Sequence, residues 1–128
     1  MKSMRRVEYK DGVILTVDHM KHSIMRIIDA ADRCYPSSVA ALVITRGCEE
    51  CSNGKLTSKH LYPTCDALDF RTWYLPTYSD RQTIVVRMQA ILGCAYYGYY
   101  KRYVASGAEG EDGRVVEWIH FQYNGGSE

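Results

Sequence analysis

The chain has 128 residues, enough for one domain and too few for two of ordinary size. Its 16 Lys and Arg against 15 Asp and Glu leave a net charge of +1, which argues against a polybasic nucleic-acid binder and against an acidic tail protein. A hydrophobic fraction of 46% and a charged fraction of 24% are those of a globular chain, with disorder expected only near the ends.

Lys2, Arg5 and Arg6 imitate the start of an export signal. The apolar stretch behind them, Val13 to Val17, is cut by Thr16 and ended by Asp18. An export signal needs ~7–15 apolar residues there, so synthesis in the cytoplasm without a signal is expected. No apolar run approaches the ~20 residues of a membrane span, and no membrane insertion is expected. A helix is predicted over Asp18 to Cys34, where Met20, Ile24, Ile27, Ile28 and Ala31 recur at helical spacing. Asp18 is its expected cap and Pro36 its block. His19 and His22 lie on its polar face and read as solvated. Val39 to Thr45 reads as a buried strand, Gly47 to Ser58 as a polar loop, and Ala67 to Thr72 as a second short strand.

A second helix is predicted over Asp80 to Leu92, with Ile84, Val85, Met88, Ile91 and Leu92 on one face and Gly93 as its stop. Tyr99 to Ala105 and Arg114 to Tyr123 read as strands joined in a hairpin by a glycine-containing acidic connection. The tyrosines around them read as half-buried strand residues or as rings lining a sugar or substrate groove. The tail 124–128 is expected to fray. The sum is one α+β domain over 1–128, with two main helices on a small, mostly antiparallel sheet.

The five cysteines, Cys34, Cys48, Cys51, Cys65 and Cys94, are odd in number and follow no export signal, so they are read as reduced thiols. A structural zinc site on Cys48, Cys51, His60 and Cys65 is one way to use them. A catalytic zinc is another possibility for the chain. It takes three ligands drawn from His and carboxylate and leaves room for water, whose proton a nearby Glu can accept. His60, Asp69, His120 and Glu117 are groups of those kinds.

The segment Ser58-Lys59-His60-Leu61-Tyr62-Pro63-Thr64-Cys65-Asp66-Ala67-Leu68-Asp69-Phe70-Arg71-Thr72 resembles the S-x-H-x-x-G-x-A-x-D motif of the zinc D-alanyl-D-alanine carboxypeptidases. That family includes phage L-alanyl-D-glutamate endolysins and shares its fold with the hedgehog signalling domain. Ala67 to Thr72 matches the A-x-D-[IF]-R-T continuation of phage-type members, and Val115 to Tyr123 is similar to the closing E/D-x-x-H strand. The resemblance implies zinc held by His60, Asp69 and His120, with Glu117 as general base. Ser58 would contact the substrate or the ligand residues. It further implies hydrolysis of an amide bond in the peptide stem of peptidoglycan, by a monomeric phage or prophage product that reaches the cell wall after release.

Eight residues separate His60 from Asp69, two more than in the motif, which keeps strand parity. Asp66 is the second choice of ligand. Arg71 shares a strand face with Asp69 and is expected to meet the peptide's carboxylate or an oxyanion, or else to be a surface arginine. Glu117 and His120 are three apart, so the resemblance implies either a bulge between them or a Glu117 that precedes the regular strand. A non-catalytic binding module that keeps the fold is the alternative function, and the structural zinc protein on the cysteines another.

Overall fold

The structure is a computed structural model that describes residues 4–13, 15, 21–48, 66–104 and 115–125. The α+β architecture is as expected, with two helices and five strands among the described residues. In chain order these are β1 (Arg6–Tyr9), α1 (His22–Cys34), β2 (Ala41–Arg46), β3 (Ala67–Phe70), α2 (Tyr78–Leu92), β4 (Tyr96–Val104) and β5 (Val115–Tyr123). The sheet runs β1-β2-β3-β5-β4. Only the β1–β2 pair is parallel.

Both helices cover one face of this sheet. On α1, Ile24, Ile27, Ile28 and Ala31 are buried at the helical spacing that the sequence predicts. The predicted cap Asp18 lies outside the described residues, and the helix opens at His22 behind Lys21. Its last turn is closed by a side chain from the other end of the local sequence. Arg5 donates to the Asp32 carboxylate at 2.6 Å and to the carbonyls of Asp32, Tyr35, Pro36 and Val39. These groups have no partner within the helix, so one guanidinium both ends α1 and docks β1 beside it.

Helix α2 starts at Tyr78, two residues ahead of the predicted Asp80, because Thr77 and Asp80 form a capping box. Ile84, Met88 and Leu92 pack inward, whereas Ile91, expected on the same face, is 39% exposed. Gly93 ends the helix at φ 90°.

Strand β1 was not predicted. Its four residues are mostly exposed, and its only partner among the described residues is β2, more than thirty residues away. Strand β4 begins at Tyr96, ahead of the predicted Tyr99, and pairs with β5 in unbroken register from Tyr96↔Tyr123 to Val104↔Val115. Gly98 lies opposite Phe121 in that ladder. A Cβ at this position would sit 2.3 Å from the Phe121 ring, so only glycine fits. No helix of the described residues is long and apolar enough to cross a membrane.

Candidate metal centre

Strand β3 is the middle strand of the sheet and is buried along its whole length. Leu68 and Phe70 face the helices and join the core. Asp69 therefore points to the opposite face. On β5, Ile119 and Phe121 are core residues, so His120 also points away from the helices. The ladder sets Asp69 directly across from His120, and Asp69 Oδ1 lies 2.6 Å from His120 Nδ1. Both residues are buried, at 2% and 5% exposure. Tyr99, opposite His120 on β4, stacks on the imidazole with centroids 4.8 Å apart. Burial and then the Asp69 charge push the Tyr99 phenol above its usual range.

The other ring nitrogen of His120 meets Gln122 Oε1 at 2.7 Å, and the Gln122 amide N–H donates to Asn124 Oδ1. His120 thus has an oxygen acceptor at each ring nitrogen. A hydrogen bond on the far nitrogen is how metal-bound histidines are oriented. Asp69 and His120 therefore have the donor chemistry for two of the three positions of a catalytic zinc. The third residue expected there, His60, and the expected contact Ser58 both lie outside the described residues. No group of three His, Cys, Asp or Glu that could hold a metal occurs among the described residues.

A pocket of about 420 Å³ opens beside this pair. Asp69 and Arg71 both line it, so the shared face expected of them is present. Lys10 and Arg46 add two further cations, and Trp73, Tyr103 and Trp118 add aromatic walls. Arg46 Nη1 is 4.0 Å from Asp69 Oδ2. The Arg71 guanidinium lies over the Trp73 ring, 3.8 Å from its centroid. The backbone of Arg71 is held from two sides. Its N–H donates to Val43 O at 2.8 Å, and its carbonyl accepts from the buried Tyr35 hydroxyl at 3.0 Å. Such a pocket suits an anionic group carried on a flat or apolar body.

Glu117 is not beside the Asp69–His120 pair, and this corrects the role expected for it. The register of β5 against β4 has no bulge, so three residues of strand turn Glu117 to the helix side. It borders the pocket, but its carboxylate is engaged elsewhere. Oε1 accepts from Thr72 Oγ1 at 2.7 Å and from Arg81 Nε and Nη2 at 3.2 and 3.0 Å, and Oε2 accepts from the Tyr100 hydroxyl. Burial pushes the Glu117 carboxyl up, but the bonds from Tyr100, Thr72 and Arg81 outweigh it and hold the group below its usual range. A carboxylate held ionised by three donors is a poor proton acceptor. Arg81 had no role in the sequence reading, Thr72 entered it as the end of the matched motif, and Tyr100 as one of the strand tyrosines. The available signal was parity, since an acid at an odd position of β5 shares a face with Ile119 and Phe121 and needs a buried cation.

Two further expectations are corrected. Asp66 Oδ1 accepts from Lys21 Nζ at 2.8 Å and Ser23 Oγ at 3.2 Å by the start of α1, which sets this second choice of ligand on the helix side of the sheet, away from His120. Cys48 is disulfide-bonded, not a reduced thiol, and its partner lies outside the described residues. A disulfide sulfur is no thiolate ligand, so the four-residue site on Cys48, Cys51, His60 and Cys65 loses its first member. Cys34 and Cys94 are free, as expected. No family model, curated protein or solved structure matches the chain.

Proposed function

We propose that the chain is a zinc-dependent hydrolase of the D-Ala-D-Ala carboxypeptidase and phage endolysin type, cutting an amide bond in the peptidoglycan peptide stem. The observation that carries this reading is the Asp69–His120 contact. The two segments that resemble the family's motifs are 51 residues apart at this point, yet lie side by side with their donor atoms 2.6 Å apart. In this reading Asp69, His120 and His60 would hold the metal, which would replace the direct Asp69–His120 hydrogen bond. Zinc supplies Lewis acidity at the scissile carbonyl and makes water a nucleophile near neutral pH. Gln122 fixes the His120 ring through its far nitrogen. Arg71, with Lys10 and Arg46 beside it, receives a carboxylate of the stem peptide and sets the register of the bond to be cut.

The test is metal analysis together with turnover of purified peptidoglycan. Wild type should hold about one zinc per chain, as a three-ligand site does, and should release new peptide ends. His120→Ala and Asp69→Asn should lose both metal and turnover. A wild type purified with zinc supplied that holds none, or an Asp69→Asn variant that turns over normally, overturns the reading. One observation favours the second reading, a binding module without catalysis: Glu117 is turned away from the metal pair. That reading predicts retention of peptidoglycan with no new peptide ends.

A further inference from the structure

The chain turns sharply between β3 and α2. Leu75 N–H donates to Thr72 O, which closes a β-turn over Thr72 to Leu75. Tyr74, at the third place of the turn, has φ 71° and is the only non-glycine with positive φ among the described residues. A turn of this kind favours glycine there, because a side chain crowds the backbone. Tyr74 contributes no compensating burial, being 80% exposed, and its neighbour Trp73 is 56% exposed. Strain at an exposed aromatic is therefore not explained by packing.

The two flanks of the turn are fixed. Thr72 is fully buried, and its hydroxyl donates to Glu117. Arg81 donates to the carbonyls of Leu75 and Thr77, at 3.0 and 2.6 Å, and is itself held by Glu117. The result presents Trp73 at the wall of the pocket, one ring face against Arg71, with Tyr74 next to it.

We propose that the Thr72–Leu75 turn is a ligand-contact rim, in which Trp73 and Tyr74 stack on a sugar ring of a cell-wall fragment whose peptide carboxylate meets Arg71. Glu117 and Arg81 are the positioning residues that hold this rim. The inference rests on the peptidoglycan reading above and deepens it. A pyranose offers a flat face of C–H groups to an aromatic ring, and a stem peptide joined to it brings the carboxylate for the cations of the pocket. One fragment thereby uses both halves of the lining.

The test compares a soluble disaccharide–peptide with the same stem peptide alone, by calorimetric titration of the full-length chain. Wild type should bind the disaccharide–peptide about fivefold to tenfold more tightly, as one or two ring contacts supply. Tyr74→Asn should erase that preference while leaving the peptide's own affinity in place, whereas Trp73→Ala should erase it and also weaken binding of the peptide alone, because Arg71 rests on that ring. Tyr74→Phe should restore what Tyr74→Asn loses. Because asparagine tolerates positive φ, Tyr74→Asn should melt no lower than wild type, so lost binding is not lost folding. Equal binding of the two ligands by wild type overturns the rim, as does a Tyr74→Asn variant that keeps the preference or melts earlier. Preference without hydrolysis upholds the rim and overturns the peptidase. Hydrolysis without preference does the reverse, and a wild type that neither binds nor cuts overturns both.

Discussion

A carboxylate at an odd position of β5 has to face the helices, because Ile119 and Phe121 do. Glu117 is accommodated there only by its donors, and this gives it a pH signature. Its folded pKa lies below the unfolded value. Its contribution is therefore present above the unfolded value and is lost as the pH falls through the folded one. Glu117→Gln should cost about 1–2 kcal/mol at neutral pH and progressively less as the pH falls through the folded value, measured by urea unfolding across the acid range. If the peptidase reading holds, the same substitution should lower turnover without removing the acidic limb of the pH–rate profile that a general base would set. Tyr100 gives the opposite sign. Burial, and then its bond to the Glu117 carboxylate, push its phenol up to about 12. It stabilises the fold below about pH 10 and ceases to do so between about 10 and 12. Tyr100→Phe should flatten that alkaline limb. Strand parity, visible in the sequence, was enough to place Glu117. The expectation of a bulge came from the resemblance, and the uninterrupted β4–β5 ladder overrides it.

At the scale of elements, α1 was legible from an apolar stripe of helical period, and α2 from the spacing of Ile84, Met88 and Leu92 and its stop at Gly93. Strand β1 was not, since nothing local distinguishes Arg6–Tyr9 from a loop. Its place depends on Arg5, whose side-chain exposure is 10% and whose five acceptors come from the end of α1 and the turn after it. Arg5→Ala should cost about 2–4 kcal/mol, because it leaves Asp32 and several carbonyls without a donor. Amide exchange should quicken first in β1 and the last turn of α1. The early start of β4 has a steric origin. Gly98 leaves room for the Phe121 ring, and Gly98→Ala should cost about 1–3 kcal/mol, read from a lower urea midpoint, since that ring is fully buried and has nowhere to move.

Across the whole molecule, the sheet divides the chemistry into two sides. The helix side holds the apolar core and, at one end, the Glu117–Arg81 network. The open side holds Asp69, His120 and the cationic, aromatic-walled pocket. The resemblance set Asp69 and His120 at one site, and the β3–β5 ladder places them opposite each other. Lys10, Arg46 and Trp73 could not be placed there from the sequence, since each reaches the pocket from a different strand end and none has a partner nearby in sequence. Trp73 and Trp118 are the only tryptophans in the chain, and both border that pocket. Indole emission from this protein therefore originates at one place. A change in its intensity or colour on mixing with a ligand reports occupancy of the pocket directly, with no label and no background from the core.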